Sequence, residues 1–404
     1  MAAVAPPQLG LYISIPFCRS KCTYCNFASG VYPAAEHARY VERLIEDLRG
    51  AGAWAHTLGA ELPRRLDTVY LGGGTPSLLE PDLLHRLFTA IRSEFDLDPA
   101  AEITMECAPG QLPDPTLEAI SACGVNRVSL GVQSFVDREA RESGRLHTRA
   151  VVEEDLRRLR ATGIHNLNLD LIAGLAGQTF LSWEESLAAL AEAAAPHASI
   201  YMLEVDEDSR LGRELLAGGA RYRAGLVPTD DAIARMYERG IERLAQAGLA
   251  QYEISNFSRP GSESRHNLRY WQRRPYLGLG LDASSMLHEA EPATGPVPRI
   301  LRASTGDDLK AYLAGNIVPE AEWLTAERQI EEACFLGLRL NTGVDLNALA
   351  REFGESLVLP AWETAAQLAE DGMLAVDGSR IRLTERGRLL ANEVFQEFLA
   401  DPVS

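Results

Sequence analysis

Three cysteines close together near the amino terminus constrain this chain more than any other feature. Cys18, Cys22 and Cys25 form the spacing CxxxCxxC within eight residues, directly after an apolar run at residues 11–15. The other cysteines are scattered along the chain at Cys107, Cys123 and Cys334. A tight cluster of cysteines in a long chain is typical of a metal or redox site, whereas a disulfide framework spreads its cysteines evenly through a short secreted domain.

Two kinds of metal site compete for this spacing. A structural zinc ion needs a fourth Cys or His at regular spacing, and His37 lies too far along, on a predicted helix. Three thiolates on one loop instead fit three corners of a [4Fe–4S] cluster and leave one iron open for an external ligand. The neighbouring Arg19 and Lys21 favour the thiolate form. The sequence therefore predicts that the three clustered cysteines ligate a cluster with one open iron.

Strand patterns alternate with amphipathic helix patterns over the first half of the chain. Strands are predicted at residues 11–15, 67–71, 102–106, 126–131, 166–172 and 199–203. Helices are predicted at residues 34–48, 83–95, 115–122, 137–142, 150–162 and 182–195. Repeated strand–helix units imply a parallel sheet with right-handed crossovers. Six units are too few for a closed eight-stranded barrel, so an open partial barrel and a doubly wound sheet remain.

Polar residues at alternate strand positions favour the partial barrel. Residues 166–171 read Asn-Leu-Asn-Leu-Asp-Leu, so Asn and Asp share one face of the strand, and residues 102–106 repeat this pattern. A doubly wound sheet would need apolar residues on both faces. Glu106, Gln133 and Asp170 each lie near the carboxyl end of a strand, where parallel barrels build ligand sites. The alternative is that these groups bond only to one another and to the backbone.

The pattern changes after residue 228 and again after residue 318. The predicted units are an N-terminal tail (1–8), the partial barrel (9–228), an extension (229–318) with an aromatic strand at residues 252–254, and a C-terminal domain (319–404). The last unit combines helices at 326–340, 345–353 and 360–371 with strands at 373–376 and 380–383 and a final helix to about residue 399. This order is typical of a winged-helix-like domain. Its seven arginines against sixteen Asp and Glu argue against DNA binding.

The whole chain is acidic, with 57 Asp and Glu against 39 Lys and Arg and a net charge of −18. Nucleic acid and anionic lipid are therefore disfavoured as partners, because both require a basic surface. The first residues show no basic and apolar leader, and no later run approaches the apolar length of a membrane span. We expect a soluble, cytoplasmic protein without a nucleic-acid partner.

With CxxxCxxC after the first strand of a partial barrel, the chain resembles the radical S-adenosylmethionine (SAM) superfamily. Residues 72–76, Gly-Gly-Gly-Thr-Pro, match the glycine segment of that superfamily, where missing side chains let backbone carbonyls meet the methionine ammonium. The resemblance implies that the open iron is chelated by SAM and that an electron from the reduced cluster cleaves the sulfonium. The implied fold is α/β, a partial (β/α)6 barrel with a C-terminal helical, winged-helix-like domain.

Residues 11 to about 398 resemble a narrower group, the oxygen-independent coproporphyrinogen III oxidases and the related haem chaperones of the HemW branch. The matching segments are residues 11–18, 131–135, 144–148 and 168–175. By motif, the residues placed around SAM are Tyr12, Tyr24, Gly73, Gly74, Thr75, Glu106, Gln133, Arg145 and Asp170. Glu106 is suited to pair with the methionine ammonium, and Arg145 with a carboxylate. Asp170 suits the ribose hydroxyls, and Tyr24 can stack near adenine.

Three features separate the two branches. The oxidases carry a further cysteine two residues after the third, whereas Cys25 is followed by Asn26 and Phe27. The oxidases also have an N-terminal extension, whereas the first predicted strand here already begins at residue 11. HNxxYW at residues 266–271 is the hallmark of the chaperone branch, where it is associated with haem binding. The resemblance favours a haem chaperone over an oxidase and leaves open whether the chain is an enzyme.

The residues of the HNxxYW motif suit a haem. His266 offers an imidazole to iron, and Asn267 is placed to fix its tautomer. Tyr270 and Trp271 give flat apolar area for the macrocycle. A local basic cluster suited to two propionates is formed by Arg265, Arg269, Arg273 and Arg274. The alternative is that His266 and Trp271 only fasten this segment to the barrel, while the arginines pair with surface acids.

The resemblance also sets expectations for partners and for departures from the family pattern. After the motif, related sequences usually read GxGAHS, whereas Ser284 stands here in place of the His. The implied partners are haem, haem-accepting proteins such as membrane-associated respiratory enzymes, and a second copy of the chain in a homodimer. Two alternatives remain: oxidative decarboxylation of coproporphyrinogen III, and radical chemistry on another substrate.

Overall fold

The computed structural model describes residues 8–219, 221–290, 297 and 299–399. The predicted tail at residues 1–8 lies outside these residues except for Gln8, which begins the first strand. In the part of the chain described here, no helix is both long and apolar enough to cross a lipid bilayer.

Strands and helices alternate through the first half of the chain. The strands are β1 (Gln8–Ile15), β2 (Ala60–Glu61), β3 (Arg65–Gly73), β4 (Asp96–Cys107), β5 (Arg127–Gln133), β6 (Asn166–Ala173) and β7 (His197–Met202). The helices are α1 (Ala34–Thr57), α2 (Pro81–Glu94), α3 (Asp114–Ala122), α4 (Asp137–Glu142), α5 (Arg149–Ala161), α6 (Phe180–Ala193) and α7 (Arg210–Ala217). Each of the six predicted strands overlaps an observed one. Residue periodicity was therefore sufficient to find them.

Shorter elements follow. The strands are β8 (Ala250–Gln251), β9 (Asn256–Ser258), β10 (Tyr276–Leu279), β11 (Ser284–Glu289), β12 (Ile300–Ser304), β13 (Glu320–Leu324), β14 (Val344–Asp345), β15 (Leu374–Asp377) and β16 (Arg380–Leu383). The helices are α8 (Asp230–Gln246), α9 (Arg265–Trp271), α10 (Leu309–Leu313), α11 (Ala326–Leu338), α12 (Leu346–Phe353), α13 (Glu355–Glu370), α14 (Glu385–Leu389) and α15 (Ala391–Gln396).

Two predicted elements differ from the structure. The aromatic strand at residues 252–254 is wrong, because this segment is the turn that joins β8 to β9: the Tyr252 N–H donates to the Asn256 carbonyl across it at 3.1 Å. Glu253 keeps one isolated bridge, to Leu340. The final helix is divided into α14 and α15, because the backbone leaves helical geometry at Leu390, with φ −114° and ψ 35°.

A mixed sheet carries the larger part of the molecule. Its parallel core runs in the order β1-β3-β4-β5-β6-β7, with β10 parallel to the other edge of β1. β11, β12 and β13 extend that side antiparallel, and β9 and β8 extend the β7 side. Among the described residues, the terminal strands β13 and β8 do not pair with each other. The barrel is therefore open, as the sequence predicted.

The two faces of the sheet differ in polarity. On β6, Leu167, Leu169 and Leu171 are fully buried in the core shared with the outer helices, and Asn168 and Asp170 occupy the alternate positions. The curl of the sheet around this polar face is seen in one cavity that is lined by residues of β3 to β7, Gly73 on β3 and Tyr201 on β7 among them. Polar side chains from distant strands are thereby gathered inside the barrel.

A second hydrophobic core lies at the carboxyl end of the chain. Leu338, Leu346, Val358 and Ile381 are buried there between α11–α15 and a small antiparallel sheet of order β14-β16-β15. These helices with a small hairpin agree with the predicted helical domain. The predicted domain limits stay predictions, and β13, just past the limit at residue 318, still pairs with β12 in the large sheet.

Helix α9 lies across the amino ends of the parallel strands. The backbone N–H groups of Arg265 and His266 donate to the Glu102 carboxylate on β4, at 3.1 and 3.0 Å. Arg269 is fully buried, donates to the Gln8 carbonyl at the start of β1, and forms an ion pair with buried Asp67 on β3. The segment that carries HNxxYW therefore closes the opposite end of the barrel from the cysteine loop.

Candidate functional site

The cysteine loop follows the carboxyl end of β1 and is fastened back onto it. The Cys18 N–H donates to the Gly30 carbonyl and the Gly30 N–H donates to the Pro16 carbonyl, both at 2.8 Å. A backbone bridge joins Phe17 to Gly30. These bonds fix both ends of the loop, so the three cysteines are held at the carboxyl edge of the sheet, where sequence alone placed a ligand site.

The three thiols have different neighbours. Cys18 Sγ accepts a bond from the Thr75 hydroxyl at 3.9 Å, and Cys25 Sγ lies 3.9 Å from the Ser29 hydroxyl. Cys22 Sγ accepts from the Arg145 guanidinium at 3.6 Å. Within the described ranges, no three Cys, His, Asp or Glu side chains converge closely enough to hold one metal ion. The three thiols line one cavity, with polar contacts to Thr75, Ser29 and Arg145.

The glycine segment runs beside this loop. The Gly74 N–H donates to the Ile15 carbonyl and the Thr75 N–H to the Phe17 carbonyl, each at 2.8 Å. A Cβ atom on Gly74 would come within 2.7 Å of the Phe17 carbonyl oxygen and 3.0 Å of Cys18 Sγ. Glycine is required here because the end of β3 and the cysteine loop approach so closely that no side chain fits between them.

Most of the predicted SAM residues line one cavity of about 340 Å³ with the three cysteines. Those that line it are Tyr24, Gly73, Gly74, Thr75, Glu106, Gln133, Arg145 and Asp170. Tyr12 lies deeper, with its ring centroid 6.0 Å from that of Tyr70. Residues far apart in sequence therefore meet at the carboxyl edge of the sheet, although the ligand that they hold stays a prediction.

Glu106 is held at both carboxylate oxygens. The Tyr70 hydroxyl donates to Oε1 at 2.8 Å, and the Gly73 N–H donates to Oε2 at 3.2 Å. The pKa of Glu106 is raised to about 7 in all: burial is the largest cause and Asp170 adds to it, while the two hydrogen bonds and Arg127 oppose the shift. The carboxyl is thus fixed in orientation and titrates close to neutral pH.

Asp170 belongs to a network of side chains on the inner face of the sheet. Its carboxylate accepts from the Ser129 hydroxyl at 3.0 Å and from the Asn168 amide at 2.7 Å. Asn168 also bonds to Ser199 and His197 on β7. Burial raises the pKa of Asp170, and these hydrogen bonds lower it. The network fixes the position of the carboxylate on the cavity wall.

Arg145 and Gln133 face the same cavity from the β5 side. Arg145 donates to the Gly131 carbonyl, and its pKa is raised because Tyr24 and Cys22 outweigh the opposing effect of burial. Gln133 has φ +67°, a left-handed conformation, and its buried Oε1 has no hydrogen-bond partner. A strained residue with an unpaired buried acceptor at a cavity is typical of a ligand site.

Sequence reasoning missed three residues of this site. Tyr70 holds Glu106, Ser129 holds Asp170, and Tyr201 lines the cavity from β7. The alternation of residues along the strands contained a signal for them, because each occupies a position whose side chain lies on the inner face, as do Glu106 and Asp170. It carried less weight for them because hydroxyl-bearing side chains are common on strands without any ligand role.

His266 of the HNxxYW motif lies inside the barrel with 1% of its surface exposed. Its Nδ1 lies 2.9 Å from the Thr68 hydroxyl and its Nε2 lies 2.8 Å from the Tyr270 hydroxyl. Burial lowers the pKa of His266 to about 3, with a further contribution from Arg269 and Arg127. The ring is therefore neutral, and both nitrogens are engaged in this conformation.

The other motif residues lie at the edge of the barrel. Asn267 and Trp271 are partly exposed, and the Arg339 guanidinium lies 4.4 Å from the Trp271 ring centroid. The Tyr270 ring packs edge-on against Tyr276, with centroids 4.6 Å apart. Trp271 therefore faces the C-terminal domain, whereas His266 and Tyr270 face inward. Ser284, in place of the expected His, begins β11 and is exposed.

The arginines expected to grip propionates all have partners within the chain. Arg269 and Arg274 both bind Asp67, the second at 2.9 Å. Arg273 pairs with Glu352 at 3.3 Å, and Arg265 donates to the Ala100 carbonyl at 2.7 Å. This pairing agrees with the alternative in which the arginines fasten the segment to the barrel.

Comparisons with known proteins place the chain in a defined group. It matches the model of the Radical SAM superfamily over residues 12–190 and that of the HemN C-terminal domain over residues 324–390. It is 35% identical over 396 residues to Heme chaperone HemW of Lactococcus lactis, covering 97% of this chain and 98% of that protein. It is 31% identical over 401 residues to Heme chaperone HemW of Escherichia coli, with 98% and 99% covered.

The similarity extends to a solved structure. Coproporphyrinogen III oxidase (HemN) from Escherichia coli, a radical SAM enzyme, superimposes with a TM-score of 0.80 at 24% identity, over 97% of this chain and 90% of that chain. At this identity the match establishes the fold alone. The predicted α/β architecture with an open barrel and a helical C-terminal domain is confirmed.

Glu106 is expected to make the protein less stable as the pH rises from about 4.5 to about 7. Because burial raises its pKa from 4.5 to about 7 on folding, the folded chain retains a proton in this range that the unfolded chain has lost. The contribution of Glu106 to the free energy of unfolding is fully present below pH 4.5 and is lost above about pH 7. Urea unfolding across this range should show a steeper fall for the wild type than for Glu106→Gln. Equal pH dependence would contradict the prediction.

Proposed function

Because the chain belongs to the HemW family of the radical SAM superfamily, we propose that it is a haem chaperone. It binds haem as cargo, transfers it to haem-dependent proteins, and carries a [4Fe–4S] cluster with SAM beside it. Full-length similarity to HemW proteins is the observation that carries this proposal. The chemistry of the cavity supports the cofactor half independently.

The donor set fits a cluster with an open iron. Cys18, Cys22 and Cys25 line the cavity together from one loop. Cys107 and His147 line it too, but the Cys107 thiol donates to the Met105 carbonyl and the His147 Nε2 lies 3.1 Å from the Val132 carbonyl. Three thiols suit a [4Fe–4S] cluster, in which each of three irons binds one thiolate. They suit a structural zinc ion less well, because zinc needs four ligands around a single ion. When bound, the cluster and SAM supply one-electron chemistry. The part of the protein itself would be to hold the three thiolates and to present the polar groups of the cavity to SAM.

The polar groups around the cavity can be matched to the carboxylate, the ammonium group and the ribose of SAM. Arg145 lies beside Cys22, so it is placed to bind the methionine carboxylate near the cluster. Glu106 beside Gly73 suits the ammonium group, and the unpaired Gln133 oxygen can accept from the same group. Asp170 lies deeper on β6, where it suits the ribose hydroxyls. Gly74 and Thr75 complete this wall, while Tyr24 and Tyr12 supply aromatic surface.

The haem contact is proposed on the HNxxYW segment. Asn267 and Trp271 reach the surface beside the C-terminal domain and offer a polar group and a flat ring. Iron ligation by His266 requires its contact with Tyr270 to open, because both ring nitrogens are engaged. Ligation through His266 therefore requires the side chains around its ring to rearrange. Arg265 is exposed at the start of this segment, and a propionate would bind it in place of the Ala100 carbonyl.

The remaining proposals concern the localisation of the protein, its haem acceptors and its oligomeric state. We propose a cytoplasmic protein that delivers haem to acceptors, membrane-associated respiratory enzymes among them, and that forms a homodimer. The net charge of −18 disfavours nucleic acid as a partner.

Replacing Cys22 by Ala is expected to prevent assembly of an intact cluster, because one of three thiolates is lost. Iron and sulfide content after anaerobic reconstitution measures the effect. The matched control is Cys123→Ala, which removes a buried thiol on the far side of α3, near His85. It should retain the full content. A full iron–sulfur spectrum in Cys22→Ala would remove Cys22 from the ligand set.

Wild-type protein is expected to bind haem stoichiometrically in spectroscopic titration. The triple variant His266→Ala, Tyr270→Phe, Trp271→Leu should bind substantially less, because the imidazole, a hydroxyl and the flat ring are removed together. Its cluster content, measured in parallel, checks that the barrel is intact. Anaerobic turnover of coproporphyrinogen III by the reconstituted wild type would favour the oxidase instead. SAM cleavage without haem binding would favour a radical enzyme on another substrate.

A further inference from the structure

We propose that His266 is a positioning residue of the SAM site, acting through the Tyr70 ring on the Glu106 carboxylate. This inference rests on the proposed role of Glu106 in binding the methionine ammonium. It gives the histidine of HNxxYW a task inside the barrel, separate from any contact with haem.

Helix α9 holds His266 rigidly at the amino end of the barrel. Its first turn is bonded to Glu102 on β4, and the Ser264 hydroxyl caps the helix by accepting from the Asn267 N–H at 3.3 Å. Further along, Arg269 is anchored by its buried ion pair with Asp67 on β3. A helix fixed at both ends by buried polar contacts presents its inward side chain in one orientation.

The His266 ring is constrained from three sides. Thr68 and Tyr270 bond to its two nitrogens, and these contacts fix the rotation of the ring. Its face lies against Tyr70, with centroids 5.2 Å apart and ring planes inclined by 31°. Tyr12 lies on the same side at 6.4 Å and 32°. The imidazole therefore supports the tyrosine rings between α9 and the cavity.

Tyr70 contacts both His266 and Glu106, and so connects the histidine to the cavity. Its hydroxyl donates to Glu106 Oε1 at 2.8 Å, while Gly73 holds the other oxygen. A Cβ on Gly72 would approach Tyr70 at 2.9 Å, and both Glu106 and Tyr12 at 3.1 Å. The packing is close enough that a displaced Tyr70 ring must move the carboxylate. The contacts from His266 to Glu106 are therefore continuous.

Other charged groups act on Glu106 without replacing this support. Asp170 on β6 and Arg127 on β5 influence it through space, and the Tyr12 and Tyr201 hydroxyls interact with it from β1 and β7. Only Tyr70 and Gly73 bond to it among the described residues. Since Gly73 acts through its backbone, Tyr70 is the contact that a side-chain substitution can change.

The test is a double-mutant cycle on SAM affinity, measured by equilibrium dialysis with anaerobically reconstituted full-length protein. Tyr70→Phe and His266→Leu are each expected to weaken SAM binding about tenfold, as for loss of a hydrogen bond to a charged group. The double variant should lose about the same tenfold, because both changes interrupt one support. Tyr312→Phe is the matched control, since it removes another buried hydroxyl bonded to a carboxylate, Asp47, outside the barrel. Its SAM affinity should stay at the wild-type value.

Each outcome decides one question. Undiminished affinity in His266→Leu, or losses that multiply to about a hundredfold in the double variant, would overturn the inference. A wild type that carries the cluster yet does not bind SAM would overturn the proposed SAM site itself. If His266→Leu loses its iron, its SAM affinity cannot be compared with that of the wild type, and Tyr270→Phe is measured instead. This variant removes only the hydroxyl that contacts His266 Nε2 and keeps all the aromatic rings. We expect a loss of a few fold for it, and unchanged affinity would overturn the inference.

Discussion

Polar side chains on the inner face of a parallel sheet must find hydrogen-bond partners, and this requirement governs the rest of the structure. The outer face is satisfied by leucine packing against helices, as at Leu167 and Leu169. The inner face satisfies itself through hydrogen bonds between neighbouring strands, as between Tyr70 on β3 and Glu106 on β4, or Ser129 on β5 and Asp170 on β6. Asn168, for example, bonds both to Asp170 on its own strand and to His197 on the neighbouring strand β7. At the cavity on the carboxyl edge, the buried Gln133 Oε1 has no hydrogen-bond partner among the described residues.

The same network explains why α9 lies where it does. One path runs from Glu106 through Tyr70 to His266. A second runs from Asp170 through Asn168 and His197 to the Tyr252 hydroxyl, which accepts from the N–H of Ser264 at the start of α9. Both carboxylates at the candidate SAM site are thus connected to the helix that closes the other end.

Local patterns were enough to predict much of this protein. The spacing of Cys18, Cys22 and Cys25 indicated the cluster loop, and strand alternation placed Glu106 and Asp170 on the inner face. The aromatic strand at residues 252–254 failed because the turn there depends on tertiary contacts of Tyr252. The partners of the arginines could not be predicted either, since Asp67 lies some two hundred residues before Arg269. Exposure of His266 depends on the same long-range contacts, and a motif shows residue types without showing which way they face.

The central claim is that His266 belongs to the barrel interior. The most direct test follows its ring by NMR in the full-length protein without cofactors, with labelled histidine and His266→Gln to assign its signals among the eight histidines. Because burial lowers the pKa of His266 to about 3, we predict that its ring signals stay constant between about pH 5 and about pH 8. A titration with a midpoint near the ordinary value of 6.5 would instead place the ring in solvent.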